Sequence, residues 1–198
     1  MQRMRGIIIF GPAGSGKTTL GKAVAQRLDY PYYDIDDYIW KKDTAVPFTV
    51  MYSRDEKIGR LMHAISTQAH FVMAGSMDSF HTSFDPFFDL AVHLNADVEI
   101  RKIRIHRREF EMFGERILEG GDMYENHMRF LDSAARYESD GSPCLKMHLE
   151  WASSMPCKVM YLRGEEKTEF NAQRIVKEYL EAVADNCRPH SDCLPGNL

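Results

Sequence analysis

The sequence predicts an α/β fold, a parallel sheet covered by helices on both faces, and three observations carry that expectation. Short apolar runs alternate with amphipathic segments of about 10 to 15 residues, the rhythm of strands joined by crossover helices. The first run, Ile7-Ile8-Ile9-Phe10, is apolar at consecutive positions, as a strand buried on both sides must be. A glycine-bearing segment then leads into Leu20, Val24 and Leu28, which recur every four residues and mark a helix.

The later elements follow in order. Tyr32 and Tyr33 suggest a short strand. Ser53 and Glu56 have the spacing of a capping box, after which Ile58, Leu61, Met62 and Ile65 form one helical face leading to a strand from His70 to Met73. Asp85-Pro86 marks a turn before a third buried strand, Leu90 to Leu94. Asp97 to Phe110 reads as a helix with Ile100, Ile103 and Phe110 facing inward. Val159 to Leu162 is the last strand, and Ala172, Ile175, Val176, Tyr179, Leu180 and Val183 match the helical period of a terminal helix. The stretch from Glu111 to Ser154 breaks the rhythm, being polar, glycine-bearing and helical from Met123 to Ser139. One domain is expected over 1–184, with a lid within about 111–122 and a loose tail over 185–198.

At 198 residues, 44% hydrophobic and 27% charged, the chain suits one globular domain. Its formal charge of -4 gives no electrostatic reason to expect nucleic acid as a partner. Cys144, Cys157, Cys187 and Cys193 lack close pairing, so free thiols in a reducing cytoplasm are expected; Cys187, His190 and Cys193 are too few for a zinc site. The apolar run at the N-terminus is too short for a signal peptide. No stretch nears the roughly 20 apolar residues of a membrane span.

Gly11-Pro12-Ala13-Gly14-Ser15-Gly16-Lys17-Thr18 fits G-x-x-x-x-G-K-[ST] between a predicted strand and a predicted helix. Glycines here let successive N–H groups turn inward, and the positive end of the following helix adds to the field on an anion. Residues Gly11 to Thr19 would therefore cradle the phosphates of ATP, with Lys17 on the β- and γ-phosphates and the Thr18 hydroxyl on Mg2+. The strand ending in Ala74-Gly75-Ser76 carries no aspartate, so a second magnesium acid must come from elsewhere. In Tyr33-Asp34-Ile35-Asp36-Asp37, Asp34 and Asp36 share one side of an extended chain. One carboxylate would serve the metal's water shell and the other an acceptor hydroxyl; capping of the helix that follows is the alternative.

The runs GPAGSGKTTLGKAVAQRL and YYDIDDYI resemble the opening of the shikimate, gluconate and adenylate kinase group, and FGERILEGGDMYENHMRFLDSAARYE resembles uncharacterised bacterial adenylate-kinase-like ATPases. The resemblance implies a P-loop three-layer α/β/α sandwich with a five-stranded sheet of order 2-3-1-4-5 and a helical lid. It also implies Asp34 at the magnesium, Asp36 at the acceptor, and Arg54 as an acceptor-binding arginine. Shikimate kinases carry a triple glycine where this chain has Ala74-Gly75-Ser76-Met77, and their R-P-L-L lid sequence has no counterpart here, so shikimate itself is not the expected acceptor. Gly75 and Ser76 would still approach an acceptor.

Arg101, Lys102, Arg104, Arg107, Arg108 and Arg116 concentrate positive charge. At about 100° per residue, Arg101, Arg104 and Arg108 share an outward face, while Arg107 falls inside the apolar stripe and is expected to point at the phosphates. Arg116 is the expected lid arginine; ordinary solvated faces are the alternative for both. The residues together point to transfer of the γ-phosphoryl of Mg-ATP to a nucleotide or small hydroxyl metabolite. A nucleotide-dependent regulatory ATPase acting on a protein partner is the second reading.

Overall fold

The computed structural model describes residues 4–186, so the expected tail falls largely outside the described residues. Strand β1 (Arg5–Phe10) lies at the centre of a five-stranded sheet, and helix α1 (Lys17–Leu28) follows the glycine loop. Then come β2 (Tyr32–Asp34), the short α2 (Asp36–Ile39), α3 (Arg54–Ile65) and β3 (His70–Ala74). Two 3-10 turns, Asp78–Ser83 and Asp85–Phe87, lead to β4 (Phe88–Asn95) and α4 (Val98–Phe113). The chain continues through a 3-10 turn (Gly114–Ile117), α5 (Tyr124–Ala135), α6 (Leu145–Ser154), β5 (Lys158–Arg163) and α7 (Thr168–Asn186).

The strand order is β2-β3-β1-β4-β5 and each neighbouring pair is parallel. Alternation along β1 explains why both faces need cover. Ile8 and Phe10 pack with Ile35, Leu61, Ile65 and Trp151 on one side. Ile7 and Ile9 pack with Leu20, Val24, Ala172, Ile175 and Tyr179 on the other. The result is the three-layer sandwich, with α1 and α7 on one face and α2, α3 and α6 on the other.

Ser53 caps α3 as its spacing predicts: its side chain accepts from the Glu56 N–H, and the Glu56 carboxylate accepts from the Ser53 N–H. Two expectations are corrected. Helix α6 occupies part of the stretch expected to be irregular; it turns Trp151 and Ala152 into the core beside a buried His148, whose polarity obscures the apolar face. Helix α4 is rotated from its expected setting. Ile103 and Phe110 are exposed, whereas Arg101, Ile105 and Glu109 are buried. The inward face of α4 is polar because carbonyls and the Glu138 carboxylate accept from Arg101 and the His127 ring pairs with Glu109, and an apolar stripe cannot locate such a face.

Replacing Ser53 with alanine removes one half of the reciprocal cap and is expected to lower the unfolding free energy by about 1 kcal/mol in urea titration. An unchanged midpoint would show that the cap adds nothing to α3.

Candidate phosphate and acceptor site

Parallel strands end at one edge of the sheet, and the loop after β1 lies there between β3 and β4. Gly14 has φ 77°, and a Cβ on it would stand 2.5 Å from the Arg101 carbonyl oxygen. Only glycine lets the loop pass so close to α4. Arg104 braces the loop from the same helix: Nη1 donates to the Gly14 carbonyl at 3.4 Å and to the Ser15 carbonyl at 3.3 Å, and Nη2 to the Gly164 carbonyl at 2.9 Å. Arg101 holds α4 itself in place. Its fully buried guanidinium donates to the carbonyls of Ala96 and Ala134 and to both oxygens of Glu138 at 2.7 and 2.6 Å.

Lys17 is half-buried and its Nζ donates to the Pro12 carbonyl at 2.7 Å, folding back across the loop. Burial lowers its pKa to about 8, against which Asp36 and Asp34 raise it and Arg108 and Arg101 lower it further. The buried Ser15 Oγ finds no partner among the described residues. The Thr18 hydroxyl donates to Asp34 Oδ2 at 3.1 Å, and so does the Tyr32 hydroxyl at 3.1 Å. The Asp36 N–H donates to Asp34 Oδ1 at 3.2 Å. Asp36 retains solvent-accessible surface, yet protein atoms crowd its carboxyl. That desolvation, followed by the Asp34 charge, pushes its pKa up, with Lys17 opposing.

The pairing of a threonine hydroxyl with a carboxylate beside a phosphate-type loop fits a magnesium ion chemically, because both are hard oxygen donors. Among the described residues no three of His, Cys, Asp or Glu gather as a metal site, so such an ion would take most of its ligands from phosphate and water.

The arginines are distributed otherwise than their spacing suggests. Arg107 is 79% exposed and pairs with Glu111 at 2.8 Å, which corrects its expected core-facing setting. Arg108 lies on the side whose field reaches Lys17. Arg116 makes a two-pronged pair with Asp122 at 2.9 and 2.7 Å, within its own segment of the chain. Arg101 and Arg104 turn inward where their spacing predicts an outward face, because the carbonyls that receive them lie in distant segments. Arg54 Nε donates to the Ser79 carbonyl at 3.1 Å, and the Gly75 N–H donates to the Ile9 carbonyl at 3.0 Å, so Arg54 and Gly75 stand at the edge of β3 beside the loop.

Ser76 opens a buried polar chain that the sequence did not announce. Ser76 Oγ donates to Asp78 Oδ1 at 2.6 Å and lies 2.8 Å from His148 Nε2; Tyr137 Oη lies 2.9 Å from His148 Nδ1 and 2.8 Å from His93 Nε2. Since Ser76 spends its proton on Asp78, it accepts from His148 Nε2–H, whose Nδ1 then accepts from Tyr137, which accepts from His93. Both histidines are neutral: burial, and secondarily the Lys17 charge, lowers His148 to about 3 and His93 to about 4.

The chain matches the AAA domain family over residues 7–119. It is 27% identical to the uncharacterized protein YqaC of Bacillus subtilis over 180 residues, covering 90% of this chain and 98% of that one. A sugar kinase from Janibacter superposes with a TM-score of 0.54 at 15% identity, covering 94% of this chain and 99% of that one. A shikimate kinase from Acinetobacter baumannii in complex with shikimate does so with a TM-score of 0.52 at 19% identity, covering 95% and 97%. Sequence matches to other shikimate kinases span 33 to 45 residues, 19 to 26% of those enzymes.

The unfolded chain binds protons on its histidines near pH 6.5, whereas the folded chain holds His93 and His148 neutral to about 4 and 3. Their contribution to stability is complete above about 6.5 and is lost as pH falls through that window. Urea-unfolding free energies are expected to fall from pH 7 to pH 4, and His148→Gln to give a shallower slope. Equal slopes would contradict the neutral pairing.

Proposed function

The chain belongs to the AAA domain family and shares the fold of P-loop small-molecule kinases, and on that premise we propose that it moves the γ-phosphoryl of Mg-ATP to a small acceptor. The observation that carries the reading is the Thr18 hydroxyl 3.1 Å from Asp34 at the start of the helix that follows the loop, with Lys17 folded across that loop. In a phosphotransferase the protein acts mainly by positioning and by neutralising charge.

On this reading Lys17 leaves the Pro12 carbonyl for the triphosphate, and the amides of Gly11 to Thr19 receive the phosphate oxygens. Thr18 and Asp34 would hold magnesium, which when bound neutralises charge on the phosphates. Asp36, with its raised affinity for a proton, receives the proton of an acceptor hydroxyl. Arg108, though also exposed, takes the role expected of Arg107, because its charge acts on Lys17 while Arg107 is paired with Glu111. Arg116 exchanges Asp122 for phosphate if the segment around the Gly114–Ile117 turn closes. Arg54, Gly75 and Ser76 face the acceptor.

The exposed apolar side chains Ile103, Phe110 and Met112 on α4 favour a second reading, a regulatory ATPase whose lid region meets a protein partner. No helix among the described residues is long and apolar enough to cross a membrane.

A metabolite screen for ADP production, with Lys17→Ala as the blank, separates the two. The kinase reading expects slow hydrolysis that rises sharply with one class of acceptor; hydrolysis indifferent to every compound favours the regulator. Arg108→Ala is expected to lower turnover about a hundredfold, and Arg107→Ala to leave it near the original value. The reverse pattern in steady-state assays would return the role to Arg107.

A further inference from the structure

A cavity of about 290 Å³ opens between the 3-10 turn after β3 and helix α6, lined by Asp78, His81, Met147, His148, Glu150 and Trp151 among others. It shares His148 and Asp78 with the polar chain through Ser76, so it adjoins the end of β3 that stands beside the phosphate loop. Its volume sits at the small end of ligand pockets, enough for a single ring or a short chain.

The charged groups it offers are carboxylates. His81 Nδ1 lies 2.7 Å from Asp85 Oδ2, and a carboxylate only accepts, so Nδ1 carries a proton. The Trp151 indole N–H donates to Asp85 Oδ1 at 3.0 Å, which together with His81 fixes both rings in the wall, their centroids 5.1 Å apart. The N–H of His148 goes to Ser76, and the Ser154 hydroxyl, also in the lining, donates to the Trp151 carbonyl. The side-chain hydrogens of His148, Trp151 and Ser154 and the one on His81 Nδ1 are therefore committed, while lone pairs remain on Asp78 and Glu150. The lining holds two carboxylates and no lysine or arginine. Lys146 makes a surface pair with Glu150 at 3.9 Å and is outside the lining.

We propose that this cavity receives the end of the phosphoryl acceptor remote from the hydroxyl that Asp36 serves, and that this end is a non-anionic donor of hydrogen bonds, a polyol or an amino alcohol, with one face against Trp151. The assignment rests on the kinase reading for the word acceptor, but the chemistry of the cavity stands apart from it. A ligand bearing hydroxyls or an ammonium supplies the missing hydrogens. A carboxylate or phosphate ester would bring acceptors to acceptors and charge to like charge. The nucleotide option for the acceptor is thereby disfavoured, as are the acids.

Trp40 and Trp151 are the two tryptophans of the chain. Trp40→Phe protein labelled with 5-fluorotryptophan carries one fluorine reporter, in the cavity wall. It is titrated with glucosamine, glucose and glucuronate, and with matched amine, neutral and carboxylate members of cyclohexanol and four-carbon polyol series. The expected result is a saturable shift of the fluorine resonance with the amine or neutral member of at least one series, and none with its carboxylate. Asp78→Asn, which tolerates the positive φ of 36° at that position, should weaken the amine about tenfold, and Met147→Trp should abolish the shift by filling the cavity. Carboxylates binding as well as their amines would overturn the ligand class, and no shift from any probe would overturn the site. Calorimetry with Mg-ATP on the same protein keeps the readings apart: fluorine shifts without ATP heat would sustain the cavity and sink the kinase.

Discussion

The close approach of helix α4 to Gly14 is the constraint on which the rest of the site depends. A loop that presents its amides inward must have its carbonyls received outward, and Arg104 receives two of them, from Gly14 and Ser15. Arg104 is useful there only if α4 cannot slide. Arg101 prevents sliding by spending its buried guanidinium on Ala96, Ala134 and Glu138, joining the end of β4 to α5. The cost of burying this charge is offset by matched acceptors, and removing one partner would leave the other stranded.

The same helices link the two halves of the site. Arg101 lies 5.3 Å from the centre of the Tyr137 ring, and Tyr137 is the middle of the chain that ends on Ser76 and Asp78. The phosphate loop and the edge of β3 are thus braced through one contiguous set of side chains from α4, the turn after α5, and α6. Such a chain holds both edges at fixed separation, as in-line transfer between two bound molecules requires.

Much of this organisation is legible in the sequence, for physical reasons that also mark where it stops being legible. Ile7 to Phe10 could only be a strand covered on both faces, and Gly11 to Thr18 carries its own backbone requirements in its glycines. The capping box of α3 is a local pattern with a local cause. Helix α4 defeated the same logic: its buried face is Arg101, Ile105 and Glu109, and Ile103 points to solvent. Whether an arginine faces inward depends on carbonyls far away in the chain, 33 residues for Arg101 on Ala134 and 90 for Arg104 on Gly14, and no periodicity records them. The Ser76 chain was hidden likewise, since its members lie 72 and 44 residues apart. Helix α6 was missed because a histidine occupies its core face.

The proposed chemistry stands or falls on the loop between β1 and α1 receiving a triphosphate with Lys17 across it. Isothermal calorimetry of Mg-ATP into the folded protein measures that directly, with Lys17→Ala as the partner experiment. Saturable heat that disappears with the lysine is the predicted result; a folded wild-type protein giving no heat with Mg-ATP would contradict it.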